Sequence, residues 1–248
     1  MEEAIFPEIL LPIKDELDQV EQNINKEMIL KAGPVADFTK LELNWWDKYV
    51  HPAALIISAR MFGYNKPQVI TMATVVQLIH IATGIHYGKY DQRPGLPVLI
   101  GDYFYAKFFS YLCSGKALEW LPEMAEVICD AHDAGVREVE DNQSSLSDVS
   151  RYIALLRKQS TLLGTCSAFG VLATNGDIAQ EKALRSFGVS LGAAFSLIKQ
   201  NRCLSTAEQL LVEAGNQLEA CADVPPKQIL VKLLETCQRG LQKSCLVG

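Results

Sequence analysis

Apolar residues recur at three- and four-residue steps along almost the whole chain, and this spacing constrains the fold more than any other feature. Across Pro225–Lys243, Ile229, Leu230, Leu233, Leu234, Cys237 and Leu241 fall on one helical face, and the Pro225-Pro226 pair suits a helix start. The same period fills Pro52–Phe62, Pro67–His86, Pro97–Cys113, Leu118–Asp141, Leu146–Thr174, Asp177–Lys199 and Ser205–Cys221. Turn signals such as GYNKP, CSGKA, TNGD and DVPP separate these segments. Two-residue alternation of the strand type is absent. The spacing predicts an all-α bundle of roughly eight to ten helices joined by short loops.

With 248 residues, 49% of them hydrophobic, the chain is long enough for one large core. The expected organisation is a single domain over residues 1–248, with an N-terminal helical segment to about residue 45 and a core from about residue 46. The net charge of -6 is spread without a basic run, which argues against nucleic-acid binding. The N-terminal stretch MEEAIFPEILLPIKDELDQ is acidic and has neither a cationic leader nor an unbroken apolar core, so a cytoplasmic location is expected. Charges are expected to interrupt every hydrophobic run before it reaches the ~20 residues of a membrane span. Seven cysteines show no C-x-x-C spacing, which predicts free and mostly buried thiols.

Two helices are rich in small residues: Gly164, Ser167, Ala168, Gly170 and Ala173 on one, Gly188, Ser190, Gly192, Ala193 and Ala194 on the other. Such side chains either let helices approach closely or leave a cavity between them. Trp45 and Trp46, and the run Tyr103, Phe104, Tyr105, Phe108, Phe109 and Tyr111, are read chiefly as core. The run is nevertheless wider than one apolar stripe, which suggests a helix buried on more than one side, as in a dimer. His80 and His86 stand six residues apart, a spacing that suits interior hydrogen-bonded histidines better than a metal-ligand pair. Asp102 suits the favourable dipole at the start of its helix.

LIHIATGIHYGKYD, followed by GDYFYA, resembles a pair of motifs in the trans-prenyltransferases, the polyprenyl (all-E isoprenyl) diphosphate synthases. Leu78, Ile79, His80, Ala82, Thr83 and His86 are in register with L-I-H-x-A-T-L-x-H-D-D-x-x-D, and Gly101, Asp102, Tyr103 and Ala106 with G-D-Y/F-L-x-A. DKYVHPAALIISARMFG resembles the family's G-K-R-x-R-P helix start, keeping Lys48 and Pro52 but placing Tyr49 and His51 where arginines are usual. LRKQSTLL is similar to K-T-x-x-L, keeping Lys158 but carrying Gln159 at the threonine. FGVSLGAAFSLIKQNRC resembles F-G-x-x-L-G-x-A-F-Q-x-x-D-D-x-x-D through Phe187, Gly188, Leu191, Gly192, Ala194 and Phe195.

The resemblance implies the isoprenoid synthase fold, and it also exposes what is missing. Family members hold magnesium ions against a diphosphate with two aspartate-rich motifs. Here the first motif reads Tyr87, Gly88, Asp91 and the second Lys199, Gln200, Cys203, so one of six expected aspartates survives. Of the turn that follows the first motif, Arg93, Gly95 and Pro97 remain, and the lysine-bearing loop after the second is absent. Lys48, Arg93 and Lys158 match positions that grip diphosphate oxygens and are the candidate retained anion ligands.

These departures imply no catalytic residue and no metal or other cofactor on this chain. The expected role is a non-catalytic, regulatory small subunit of a heteromeric prenyl diphosphate synthase, with Mg²⁺ on the catalytic partner and a heterodimer, heterotetramer or homodimer as the assembly. The alternatives are a divergent active prenyltransferase that condenses an allylic diphosphate with isopentenyl diphosphate, or an isoprenoid-binding protein.

Overall fold

The computed structural model describes residues 7–28, 43–87, 96–143 and 149–247. Among these the regular structure is helical throughout. A 3-10 segment, Glu8–Ile13, leads into α1 (Lys14–Met28); α2 (Trp45–Met61), α3 (Gln68–His86), α4 (Leu96–Ser114), α5 (Leu121–Gln143) and α6 (Val149–Gln159) follow. The chain continues through α7 (Thr161–Ala173), α8 (Ile178–Lys199), α9 (Leu204–Glu219) and α10 (Lys227–Val247). The all-α bundle expected from the periodicity is the fold observed.

Several boundaries differ from the expectation. Proline suits a first helical turn, but α2 starts well before Pro52. Asn44 caps it, its Oδ1 accepting the Asp47 amide proton at 3.0 Å while its Nδ2 donates to the Asp47 carboxylate. Pro52 therefore lies inside the helix. The span expected as one helix over Leu146–Thr174 is two, parted at Ser160, whose ψ of 4° departs from helical geometry. Ser160 N–H is shared between the Leu156 and Arg157 carbonyls, and its hydroxyl donates back to Leu156 at 2.8 Å. Such back-bonding bends helices.

Helix α3 corrects the expectation about membrane spans. Its nineteen residues contain no Asp, Glu, Lys or Arg, so by length and composition it is apolar enough to cross a bilayer. Most of it is buried inside the protein, from Met72 to Ile79 with no residue above 2% exposed, and it serves as a core helix. The expectation of mostly buried thiols also fails. Only Cys166, Cys221 and Cys237 are buried, Cys203 is partly covered, and Cys113, Cys129 and Cys245 are exposed; all seven are free.

The helices form two compact units. One comprises Met1–Ile56 and Asn65–Ile128, the other Ile57–Tyr64 and Cys129–Gly248. In the first, α1 buries Leu17, Val20, Ile24 and Met28 and packs on α3, where Asn23 donates to Thr74 at 3.1 Å. Glu27 near its end accepts from Lys107 and Tyr111 of α4. In the second unit, α8 is the hub for α6, α7, α9 and α10. Here Asp177 caps α8 by accepting the Ala179 amide proton, and Arg157 of α6 forks onto Glu213 of α9 beside Ser190.

Close packing decides the question left by the small-residue helices. A Cβ added at Gly188 would overlap the Leu163 carbonyl oxygen and lie 2.8 Å from the Gly164 Cα. One added at Gly164 would lie 2.7 Å from Val189 Cγ2, and one at Gly192 would lie 2.8 Å from Ser160 Oγ. At Gly164 and Gly188 α7 and α8 therefore approach nearly backbone to backbone.

Candidate functional site

The residues expected to carry chemistry fall in both units. In the first unit they lie on α2, α3 and the start of α4. Asp47 Oδ1 lies 3.6 Å from His80 Nε2, and the His80 ring packs on that of His51 with centroids 4.2 Å apart. Gln77 donates to the Asp47 carbonyl at 2.9 Å; its Oε1 is buried and has no hydrogen-bond partner among the described residues. One turn beyond His80, Thr83 shares a 2.8 Å hydrogen bond with Tyr105, and the Tyr105 ring stacks on His86 at 5.4 Å. Burial, outweighing the Thr83 hydrogen bond, pushes the Tyr105 phenol up to about 12. His86 Nε2 stands 3.4 Å from Asp102, and a Cβ on Gly101 would overlap the imidazole, which explains glycine there. Both motif histidines are thus interior groups on the α3 core.

Lys48, a candidate anion ligand, is held by Glu21 of α1 at 2.6 Å. Burial works against its charge, but the hydrogen bonds to Glu21 and Tyr49 outweigh it and raise its pKa. Tyr49, in an arginine position of the resembled motif, itself donates to Glu21 at 3.3 Å. Of the first aspartate-motif positions, Tyr87 closes α3 by donating its amide to Thr83 at 3.1 Å. Gly88, Asp91 and Arg93 lie outside the described residues.

The second motif is fully described and differs in charge and in shape. Helix α8 ends at Lys199, and Gln200 follows as its C-cap. The Gln200 side-chain oxygen accepts from the Tyr152 hydroxyl of α6, and the Arg202 guanidinium lies over the Tyr152 ring at 4.7 Å. Asn201 and Cys203 both take left-handed backbone, with φ of 51° and 48°, and Cys203 heads α9 directly. Where the resembled motif would carry carboxylates, the chain makes a tight turn that bears Lys199 and Arg202.

Lys158, the candidate anion ligand in this unit, bridges Asp133 and Asp130 of α5, the latter at 3.4 Å. The Asp133 hydrogen bond is the main cause of its raised pKa, and Asp133 is lowered in return. The neighbouring Gln159 donates to Glu138 at 2.7 Å. Both motif side chains on α6 are therefore turned to the acidic face of α5. Sequence reading missed Glu21, Asp130, Asp133, Tyr152 and Arg202, because partners brought together from distant segments leave no local signature.

Magnesium binding requires several carboxylate or carbonyl oxygens at octahedral positions. Lys199 supplies only a positive charge, Gln200 gives its amide oxygen to Tyr152, and Cys203 offers a soft sulfur. These residues do not fit the ion. Among the described residues no group of three His, Cys, Asp or Glu side chains is arranged to hold a metal.

The comparisons with known proteins agree with this picture at the level of fold. No protein-family model matches the chain. Octaprenyl diphosphate synthase of Haemophilus influenzae is 26% identical over 200 residues, covering 74% of this chain and 60% of that protein. Heptaprenyl diphosphate synthase component 2 of Geobacillus stearothermophilus is 22% identical over 222 residues, covering 83% of this chain and 69% of the other. The crystal structure of a decaprenyl diphosphate synthase from Rhodobacter capsulatus superposes with a TM-score of 0.78 at 17% identity, covering 92% of this chain and 97% of that one. The chain thus spans about three fifths of the length of the Haemophilus relative. The class is the all-α isoprenoid synthase fold. Within that class its relatives and structural neighbours are trans-prenyltransferases, the family its motifs resemble.

Proposed function

We propose that the chain is a non-catalytic subunit of a heteromeric polyprenyl diphosphate synthase. The observation that carries this reading is the turn Lys199–Cys203. Ionising an allylic diphosphate leaves a multiply charged anion that metal clamps stabilise by several kcal/mol, each ~1.4 kcal/mol being tenfold in rate. A lysine at the first carboxylate position repels a divalent ion, and the left-handed backbone at Cys203 removes the helical face on which the third carboxylate would stand. The candidate anion ligands Lys48 and Lys158 are each drawn to a carboxylate of their own chain. The name of the Geobacillus relative, a component of a synthase, supports the heteromeric part of the reading. The partner would hold the Mg²⁺ and perform the chemistry, in a heterodimer or heterotetramer in the cytoplasm, while this chain covers the partner's face and shapes its product cavity.

The test is an assay of purified protein with an allylic diphosphate, isopentenyl diphosphate and Mg²⁺, alone and with a catalytic synthase subunit from the same genome. The expected result is no turnover alone and a changed rate or product length with the partner. Millimolar Mg²⁺ with inorganic diphosphate should leave the Tm of the chain alone unchanged, since only a bound ligand stabilises the fold. Steady turnover by the chain alone would overturn the reading.

A further inference from the structure

Glu21 of α1 lies outside every motif read from the sequence, yet its carboxylate takes up two donors of α2 at once. Oε1 accepts from Lys48 Nζ at 2.6 Å, and Oε2 accepts from the Tyr49 hydroxyl at 3.3 Å. Lys48 Nζ also lies 5.1 Å from the Tyr49 ring centroid, so ammonium and phenol stand side by side against one acidic group. A cation and a hydroxyl, each on a separate oxygen, are how a protein holds a bound phosphate-type anion. Here the chain supplies the anion itself.

The position of that carboxylate is set by its own helix. Leu17, Val20, Ile24 and Met28 of α1 are buried, and Asn23 donates to Thr74 of α3 at 3.1 Å. Helix α1 is thereby seated on α3 without help from the Lys48 ion pair. The pair remains open to water, with the Lys48 and Glu21 side chains 31% and 32% exposed. Solvent screening makes such a pair a minor contributor to stability, so breaking it costs the fold little. Asp47, the neighbouring carboxylate on α2, accepts from Asn44 and stands 3.6 Å from His80. Glu21 is therefore the group that neutralises Lys48. An incoming anion must displace Glu21 or lie against it, and like charges a few ångströms apart repel strongly where water is partly excluded.

We propose that Glu21 is a built-in anion that closes the Lys48–Tyr49 site of α2 to phosphate-type ligands, an autoinhibitory contact made by α1. Removing its charge opens a metal-free site for an inorganic oxyanion. The inference concerns this chain alone and does not depend on a partner subunit.

Inorganic diphosphate in EDTA is the probe, sodium chloride of matched ionic strength is the reference, and thermal unfolding of the full chain is the readout. The wild type should show no rise in Tm over the reference. Glu21→Gln should show a rise that saturates, with a Kd roughly tenfold or more below the limit set by the wild type. Its Tm without ligand should stay near the wild-type value. Glu21→Ala, which has no amide oxygen to hold Lys48, is the second variant and should give the same gain. Adding Lys48→Met to either should abolish it. Equal diphosphate binding by the wild type and Glu21→Gln would overturn the inference, as would a gain that survives Lys48→Met. Absence of a gain in both folded variants would also overturn it and leave Glu21 as a structural ion pair. Each of these outcomes leaves the subunit reading intact, because that reading turns on turnover and on the partner.

Discussion

The pairing of α3 with α4 and that of α7 with α8 solve one packing problem in opposite ways. Between α3 and α4, large side chains fill the contact: the Tyr105 ring stacks on His86, its hydroxyl bonds to Thr83, and Phe104 and Phe108 are buried. Between α7 and α8, glycines bring the two backbones together and leave no room for a side chain at Gly188. The first pairing admits polar and titratable groups into the core. The second admits only small or reaching polar groups, such as buried Ser167 and the Thr165 hydroxyl that accepts from Arg185 at 2.8 Å, and its specificity lies in the absence of a methyl group.

The largest effect is expected from adding a methyl group at a glycine contact of the same kind, the one between α7 and α2. Gly170 of α7 seats its amide on Ser58 Oγ at 2.8 Å, and a Cβ there would overlap the Ser58 carbonyl. Gly170→Ala should lower stability by about 3 kcal/mol in urea unfolding, since the obstacle is backbone and cannot rotate away.

The aromatic pairing should respond less and with a pH signature. Tyr105→Phe removes one partly buried hydrogen bond and should cost about 1 kcal/mol near neutral pH. The raised phenol pKa means that the fold favours the neutral form. That stability is fully present below the ordinary tyrosine value and is lost as pH rises through the folded value of about 12. The alkaline limb of the wild type should therefore be steeper than that of Tyr105→Phe. Tyr111, also raised to about 12 by burial and then Glu27, retains part of it in both.

Arg157 offers a smaller, acidic counterpart in the second unit. Its fork onto Glu213 is the main cause of that carboxyl's lowered pKa. The associated stability is present above the ordinary glutamate value and disappears as pH falls through the lowered one. Both side chains are 36% exposed, so water screens the pair, and Arg157→Met should cost no more than about 1 kcal/mol while flattening the acid limb. The smallest effect should carry the opposite sign. A Cβ on Gly215 of α9 meets only Leu234 Cδ2 at 3.5 Å, so Gly215→Ala should gain about 0.5 kcal/mol from helix propensity.

Much of the fold was legible because helix formation is local. The start of a helical segment at Asp177, the ends of α8 at Lys199 and of α3 at His86, and the all-α class follow from residues a few positions apart. The start of α2 was misplaced because Pro52 is a strong local signal, and the Asn44–Asp47 capping pair outweighs it. The break at Ser160 went unseen for a different reason. The residue is compatible with a helix, and Gly192 of α8 presses close against it.

The candidate site was legible only in part. That Lys199, Gln200 and Cys203 offer no carboxylate can be read directly from residue types. The further change, a left-handed turn tied to Tyr152 by Gln200 and Arg202, depends on a helix some fifty residues away in sequence, such as the 48-residue separation of Tyr152 and Gln200. Lys48 and Lys158 looked like free anion ligands because sequence reports a side chain's charge but not its nearest neighbour.

By itself the sequence determined the helical class, the family its motifs resemble and the absence of carboxylates at Lys199, Gln200 and Cys203, because periodicity and residue chemistry are properties of short segments. Only the tertiary structure decided that α7 and α8 close on each other and that Glu21 and the α5 aspartates claim Lys48 and Lys158. Those outcomes depend on which distant surfaces meet, and burial and ion pairing act on distance in space, whatever the separation along the chain.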